Sequence, residues 1–332
     1  MTITLYKITE INYITAEDRT MEISSQKTFK NYSDTSLEII VNDFFEKSTG
    51  LFSKDYAPLV VKTIKQLLVE TDLTDVLSNY PEFPLIGDKW LDFTVGYKKN
   101  FAYEYDLSTR GLESPAKGHF FSDYKIGDEE KILKPLDAME FAPALAHRMK
   151  YASNDWTLAY CGLAKGRGRK FFRIALYYRG EITATDFFSA LEALGFNYLT
   201  DAKRNILSSL ITPYFDFIEV SLNLDMEGNL ENYIGVTFNV PKVNNKPGGI
   251  TKKLFDESGY SDFMLQLEGK GLIDSRWRMA RESIYIKKYS SPFLSDIDGS
   301  TVINSIRGVK LSWTNDIIQQ TKMYMDFMIG NS

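Results

Sequence analysis

The spacing of apolar side chains divides most of this chain into helical and extended segments. Residues 36–47 and 56–70 carry apolar side chains three and four positions apart, which predicts two helices. Residues 89–108 alternate apolar and polar side chains, which predicts two strands joined at Lys98 to Asn100. Because the strands come in hairpin pairs between helices, the pattern indicates an antiparallel sheet with helices on one face.

Later segments repeat this order. We predict hairpins over 155–180 and 215–241, with turns at Gly166 to Gly168 and at Glu227 to Asn229. Further strands are predicted over 275–289 and 302–313. A helix over 129–150 is interrupted by Pro135 and Pro143, and a helix over 183–195 is capped by Thr185 or Asp186 and ended by Gly195. Two more helices are predicted over 250–271 and over 314–328, the latter as the closing helix.

Successive side chains of a strand point to opposite faces of its sheet, so each predicted strand has two distinct faces. In the hairpin after Phe215, Ile218 and Val220 share an aliphatic face, while Glu219 and Ser221 share a polar one. The aliphatic faces are expected to pack on the apolar stripes of the helices. The polar faces mix charged with aromatic side chains, namely Trp90, Asp92, Arg173, Tyr177, Glu219, Tyr233, Trp277, Arg281 and Tyr285.

This mixture favours an enclosed polar chamber, because a face in water would carry Lys, Glu and Thr and fewer large rings. We therefore predict an α+β fold, an antiparallel β-barrel of about ten strands with a ring of helices outside. A one-layer α+β sheet with its polar face in solvent is the alternative. No linker rich in Pro, Gly and Ser divides the chain, so residues 1–332 are expected to form a single domain.

Composition narrows the classes of protein that remain. The chain has 332 residues, a net charge of −5 and 20 tyrosines, whose hydroxyls need polar surroundings when buried. This charge balance lacks the basic surface of a nucleic-acid-binding protein. The single cysteine, Cys161, excludes an internal disulfide. With no signal-peptide pattern and no long apolar stretch, we expect a cytoplasmic protein that does not enter a membrane.

Several kinds of catalytic site are disfavoured by the residues themselves. The two histidines, His119 and His147, lack the pattern of a nucleophilic triad, and no acidic cluster of the kind that holds Mg²⁺ against a diphosphate is present in the sequence. The glycine-rich residues 166–170 join two predicted strands and do not open a helix, so a hairpin turn is favoured over a phosphate-binding loop.

Cations, tyrosines and tryptophans on the polar faces remain as candidate chemistry. Arginine binds phosphate oxygens with two hydrogen bonds, and aromatic rings stabilise a nearby cation. Trp90 and Trp277 offer stacking surfaces to a flat aromatic ligand, and Asp92 or Glu219 is suited to accept its proton. The set favours a reaction in which a diphosphate leaves and a carbocation is shielded from water. Taken singly, each charged residue is equally suited to a cross-strand salt bridge.

Three segments carry a family resemblance. Residues 168–196 look like the basic strand, turn and helix found in mid-chain in the aromatic prenyltransferases with an α-β-β-α barrel. Residues 221–240 look like the later hairpin of that family, and 89–108 like the opening strands of its indole-specific members. In style and length the chain most resembles the bacterial indole-alkaloid enzymes of hapalindole and ambiguine type. Asp92 falls where indole-specific members carry an acid, more usually Glu, that holds the indole N–H. The sequence departs from the family at 101–103 and at Asn232, where basic residues are usual.

The resemblance implies transfer of a dimethylallyl or geranyl group from its diphosphate to an aromatic carbon of an indole. Asp92 and Glu219 would be the catalytic carboxylates that accept the proton, and Trp90 and Trp277 would bind the acceptor. The diphosphate and the cation would be bound by Arg173, Tyr177, Tyr233, Arg281, Tyr285 and Lys310. No metal cofactor would be obligatory, and Mg²⁺ would act as a modulator. The alternatives are a non-enzymatic carrier of a small hydrophobic ligand and an interaction scaffold with a solvent-facing sheet.

Overall fold

Helices and strands alternate through the structure, a computed structural model that describes residues 25–26, 31–48, 50–52, 54–70, 76–86, 91–97, 101–108, 111–112, 116–120, 127–152, 155–164, 171–180, 182–211, 215, 218–240, 252–291 and 293–331. The helices are α1 (Asp34–Lys47), α2 (Tyr56–Glu70), α3 (Glu129–Leu133), α4 (Ala142–Tyr151), α5 (Ala184–Ala193), α6 (Asp201–Leu210), α7 (Lys252–Glu257), α8 (Tyr260–Gly269) and α9 (Arg276–Glu282). The strands are β1 (Ser25–Gln26), β2 (Val76–Pro84), β3 (Leu91–Tyr97), β4 (Phe101–Ser108), β5 (Gly111–Leu112), β6 (Ala116–Phe120), β7 (Trp156–Ala164), β8 (Phe171–Tyr178), β9 (Ile218–Leu224), β10 (Leu230–Asn239), β11 (Tyr285–Lys288), β12 (Ser300–Thr314) and β13 (Ile317–Asn331).

One antiparallel sheet contains all the strands of the described residues. Its hydrogen-bonded order is β1-β13-β2-β3-β4-β6-β7-β8-β9-β10-β12-β11, with β5 beside β4 and a further pairing between β12 and β13. The antiparallel sheet and its mixture with helices are confirmed.

The aliphatic face of the sheet packs on the helices. Ile218 on β9 is fully buried, and the ring of Phe238 on β10 lies 5.2 Å from that of Phe263 on α8. At the other end of the pairing order, Phe327 on β13 lies 5.1 Å from Phe44 on α1, measured between ring centres. Burial of these rings and aliphatic side chains is the main favourable contribution to folding.

The two central hairpins, β7–β8 and β9–β10, form where the alternation predicts them. The turn of the second is stabilised by Asp225, whose carboxylate oxygen accepts hydrogen bonds from the backbone N–H groups of Glu227 (3.0 Å) and Asn229 (2.8 Å). Asp and Asn favour such turns because their side chains bond to nearby backbone groups. This turn holds β9 and β10 in register over the residues discussed below.

The strand predicted over 275–289 is wrong in its first half, which forms α9. Trp277 and Ala280, three positions apart, are both at least 95% buried, which is helical spacing. The chain becomes extended only at Tyr285, where β11 begins. Alternation of apolar and charged residues over this short stretch is compatible with both periods, so packing decides.

The closing helix predicted over 314–328 is also wrong, because these residues belong to β12, a turn and β13. Thr314 pairs with Ile317 across a two-residue turn, and Asn315 has a positive φ of 54°. Asn tolerates this conformation, which two-residue hairpin turns require. Along β13 the buried residues Met323 and Met325 alternate with partly buried ones, the period of a strand.

The structure also differs from the prediction at some helix ends and in elements with few apolar residues. Thr183, rather than Thr185 or Asp186, caps α5, because its hydroxyl accepts a hydrogen bond from the backbone N–H of Asp186. Pro135 falls in one of two short 3₁₀ segments, Lys134–Leu136 and Met139–Phe141, and Pro143 lies in the first turn of α4. The pattern predicts neither the mostly polar α6 nor β2, which contains two prolines. Of the helices described, none has the length and apolar composition to cross a membrane.

Lys203 on α6 ties this helix to two hairpins. Its side chain is 1% exposed, and its ammonium group donates hydrogen bonds to the Tyr198 carbonyl and to Asn232 Oδ1, both at 2.8 Å. Burial lowers the pKa of Lys203, while Asp316 in the β12–β13 turn, 3.8 Å away, opposes that shift. Asn232 in turn donates to Asn315 in the same turn (3.1 Å). A buried lysine with defined acceptors therefore serves packing here and not the polar face of the sheet.

Candidate functional site

The neighbouring strands β8, β9, β10 and β12 bring polar side chains together on the face of the sheet away from the helices. Directly paired residues of adjacent strands share a face of the sheet. Tyr177 on β8 pairs with Glu219 on β9, and Glu219 pairs with Thr237 on β10. Thr237 pairs in turn with Lys310 on β12. The predicted polar face is therefore continuous over these strands.

Arg173 is held in a fixed orientation on this face. Its Nε donates a hydrogen bond to Asn223 Oδ1 (3.0 Å), and Asn223 Nδ2 donates to Glu231 Oε2 (3.2 Å). The guanidinium carbon lies 4.7 Å from the centre of the Tyr233 ring and 5.1 Å from that of Phe171. Stacking on aromatic rings leaves a guanidinium edge that can bind an anion.

Lys310 is a buried cation in the same region. It is 5% exposed, and its Nζ donates to Ser221 Oγ at 2.9 Å. Its methylene stem lies over Gly235 on β10, where an added Cβ would come within 2.3 Å of Lys310 Cε. Lys322 on β13, 7% exposed, pairs directly with Lys310. Like charges side by side in a region of low dielectric favour the presence of an anion.

The hydroxyl of Tyr233 lies among these cations. Burial raises the pKa of Tyr233, but the positive charges of Arg173, Lys310 and Lys322, together with a hydrogen bond to Ser312, lower it to about 8. Tyr233 Oη donates to Ser312 Oγ at 3.3 Å. Its ordinary pKa is 10, so the positive charge of the surroundings outweighs desolvation. The region is therefore strongly electropositive.

Titration of Tyr233 should be directly visible. Because its pKa in the folded protein is about 8, wild type is expected to show one tyrosine ionising in the folded state near that pH, below the ordinary value of 10. The ultraviolet difference absorbance of tyrosinate measures this step. Tyr233→Phe should remove it, whereas Tyr198→Phe, at an exposed tyrosine, should keep it. A step that persists in Tyr233→Phe would contradict the assignment.

A second polar region continues along the same strands. Arg307 on β12 donates from Nη2 to Tyr177 Oη (3.3 Å), and the Arg179 guanidinium lies 5.9 Å from the Tyr177 ring centre. Glu219 lies beside Tyr177 in the register. The Tyr177 ring, the two guanidinium groups and the Glu219 carboxylate distinguish this region from the surroundings of Tyr233, where Arg173, Lys310 and Lys322 dominate.

The structure does not bring Trp277 and Arg281 to this face, so their predicted placement is wrong. Both lie on α9, since residues 276–282 are helical. Trp277 is buried and donates from Nε1 to Glu268 Oε2 on α8 (2.9 Å). Arg281 forms ion pairs with Asp256 and Glu282. These contacts fasten α9 to neighbouring helices and leave neither residue for a ligand on the sheet.

Tyr285 also lies on the wrong side of the sheet for its predicted role. On β11 it pairs with Asn304 of β12, and Asn304 pairs with Phe327, which packs on α1. Burial raises the pKa of Tyr285 well above 10, and the negative charge of Asp43 on α1 adds to the shift. Tyr285 therefore belongs to the layer between sheet and helices.

The predicted acceptor residues near β3 are only partly described. Trp90 lies outside the described residues. The backbone of Asp92 lies in β3, paired with Glu82 on β2 and with Asp106 on β4. The role of Asp92 as a catalytic carboxylate and that of Trp90 as a stacking surface stay predictions.

Four residues of the cationic region are not among the predicted site residues, although the alternation places the first two on the polar face: Ser221, Asn223, Ser312 and Lys322. Lys322 escapes because a helix is predicted where β13 forms. Had the two-residue turn at Asn315 been taken as the signal, alternation along β13 would have placed Lys322 on the polar face. Within the described parts of the chain, no group of three or more His, Cys, Asp or Glu side chains is arranged to hold a metal ion.

Comparison with known proteins gives a match of structure. No protein-family model matches the sequence, and no curated protein matches it. The crystal structure of AnaPT from Neosartorya fischeri matches with a TM-score of 0.50 over 90% of this chain and 94% of that one. The chain shares its overall fold with AnaPT. At 8% sequence identity, the similarity to AnaPT is one of fold.

Proposed function

We propose that this chain is an aromatic prenyltransferase that moves a dimethylallyl or geranyl group from its diphosphate to an aromatic carbon of an indole. The observation that carries the proposal is the meeting of Arg173, Lys310 and Tyr233 on one face of a sheet with this fold. AnaPT, an aromatic prenyltransferase, supports the reaction class. The indole acceptor rests on the resemblance of residues 89–108.

The sheet is inferred to close into a barrel of ten strands. Among the described strands, pairing runs from β2 through β3, β4, β6, β7, β8, β9 and β10 to β12, then from β12 to β13 and from β13 back to β2. Closure of this kind turns the polar face inward. An interior site would keep water from a reactive carbocation.

The cationic region is assigned to the donor diphosphate. As the bond between the allylic carbon and the diphosphate oxygen breaks, that oxygen keeps the electron pair. Arg173 and Lys310 would stabilise the growing negative charge, and the Tyr233 hydroxyl would donate a hydrogen bond. Lys322, paired with Lys310, adds to the positive field. Mg²⁺ is expected to modulate donor binding rather than to be obligatory.

The second polar region is assigned to the cation and its acceptor. The Tyr177 ring would stabilise the allylic carbocation through its π-face. A ring carbon of the acceptor attacks this cation and forms the new carbon–carbon bond. The same carbon then loses its proton, which Glu219 or Asp92 would accept, and aromaticity is restored. The atoms balance without a redox partner.

Thermal unfolding with a non-hydrolysable donor analogue tests the proposal. Geranyl and dimethylallyl S-thiolodiphosphates, each with and without Mg²⁺, are expected to raise the melting temperature of wild type. At a hundredfold excess over Kd the stabilisation amounts to about 2.7 kcal/mol, a shift of several degrees. Geraniol, which has the same chain without the diphosphate, is the matched control and should give a much smaller shift.

The same experiment separates the alternatives. A hydrophobic-ligand carrier would be stabilised as well by geraniol as by the analogue, because the apolar chain would supply the binding energy. A scaffold with a solvent-facing sheet would respond to neither compound. Either result would overturn the proposed donor site.

A further inference from the structure

Two polar atoms on β10 are buried without a partner. Thr237 and Asn239 are 3% and 6% exposed, and within the described residues neither Thr237 Oγ1 nor Asn239 Nδ2 has a hydrogen-bond partner. Two such atoms at alternate positions of one strand share one face of the sheet. Each buried polar group without a partner costs roughly 1–3 kcal/mol of stability, so two of them on one strand are unusual unless a ligand forms hydrogen bonds with them.

The neighbours of these atoms do not pair with them and add a carboxylate. Lys310, opposite Thr237, turns its ammonium group away to Ser221. Gly308, opposite Asn239, lies tightly against β10, where an added Cβ would come within 2.6 Å of the Phe238 carbonyl oxygen. Glu219, opposite Thr237 on the other side, is partly buried and makes no described hydrogen bond or ion pair.

The position along the strand separates this group from Tyr233, while Lys310 lies between them, opposite Thr237. At about 3.4 Å per residue, Thr237 and Asn239 lie roughly 14 and 20 Å beyond Tyr233 along β10. The Tyr233 end carries the Arg173 guanidinium on the tyrosine ring. The far end carries uncharged polar atoms, the Glu219 carboxylate and, around Tyr177, the guanidinium groups of Arg307 and Arg179. A donor and an acceptor placed end to end along this face would meet between the two groups.

We propose that Thr237, Asn239 and Glu219 form the polar subsite that selects and positions the acceptor. This subsite rests on the proposed function. Asn239 Nδ2 needs an oxygen to accept its hydrogen bond, Glu219 needs an N–H or O–H that donates to it, and the Thr237 hydroxyl can serve either group. The three together fit an uncharged carboxamide carried on the aromatic acceptor, and they disfavour an acceptor with a purely hydrocarbon substituent.

The test compares two acceptors that differ only at this group. Indole-3-acetamide and 3-ethylindole share the ring, and their binding to wild type and to Thr237→Val and Asn239→Leu is measured by calorimetry with geranyl S-thiolodiphosphate present. Wild type is expected to prefer the amide about tenfold, the value of one hydrogen bond. In Asn239→Leu the preference should fall to near parity. Neither variant should lower the melting temperature of the free protein, since each removes an unpaired buried atom.

The outcomes distinguish the subsite from the wider function. Binding of the donor analogue with an unchanged amide preference in both variants overturns the subsite alone. Variants that lose stability and keep the preference would assign the two side chains to a buried water or to packing, and the subsite would be wrong. Absence of analogue binding in wild type removes the proposed function and the subsite with it.

Discussion

Lys310→Met is expected to lower turnover of dimethylallyl diphosphate with an indole acceptor about a hundredfold, the usual effect of removing one donor of charge stabilisation. Methionine has a similar length and lacks the charge that would meet the leaving diphosphate. The loss should appear in initial rates, and binding of geranyl S-thiolodiphosphate should weaken in parallel.

The same substitution should leave folding almost unchanged, which separates a functional from a structural role. Lys310 is 5% exposed and its described hydrogen bond is to Ser221. Replacing a buried charge with an apolar side chain of like size is often neutral or stabilising, so we expect a change within about 1 kcal/mol. Lys270→Met, at an exposed lysine that follows α8, is the control and should change neither quantity. Unaltered turnover in Lys310→Met would contradict the donor assignment.

Asp43→Asn should cost about 3 kcal/mol of unfolding free energy, at the lower end for breaking a buried ion pair from one side. Asp43 on α1 accepts hydrogen bonds from Lys287 Nζ on Oδ1 (2.8 Å) and from Tyr289 Oη on Oδ2 (2.9 Å). The side chains of Asp43 and Lys287 are only 12% and 9% exposed. The amide would leave the Lys287 ammonium buried without its counter-charge. Urea unfolding measures the loss.

A double variant tells whether the lost stability arises from the broken Asp43–Lys287 ion pair or from a change in α1 itself. Asp43→Asn combined with Lys287→Met removes both charges, so most of the lost stability should return. Glu46→Gln, at an exposed carboxylate of the same helix, should stay within about 0.5 kcal/mol of wild type. If the double variant is no more stable than Asp43→Asn, the cost arises from a source other than the unpaired lysine.

The central hairpins were within reach of sequence reasoning because local and tertiary preferences agree there. Along β9 the apolar residues from Ile218 to Leu224 alternate strictly, and the following turn contains Asp225, Gly228 and Asn229. Alternation sets the register between faces, and the turn sets the pairing. Arg173 and Tyr233 were therefore assigned to the correct face.

The last third of the chain was harder because two periods coexist in it. Ile317, Ile318, Thr321 and Met325 have the spacing of a helix face, yet Met323, Met325 and Phe327 alternate as in a strand. Pairing with β12 over most of its length decides for the strand. Around Trp277 the opposite happened, because contacts with Glu268 and the burial of Ala280 favour a helix. Such long-range contacts override weak local preferences.

The contact between Gly235 and Lys310 couples the substitutions that these two positions, far apart in the sequence, can accept during evolution. A methyl group at 235 would collide with the Lys310 stem, so the lysine can keep its present position only while 235 remains glycine. During divergence, the first substitution at either position would change which substitutions the other tolerates. Relatives that place a larger side chain at 235 are expected to have first shortened or lost the lysine, and with it this way of binding an anion.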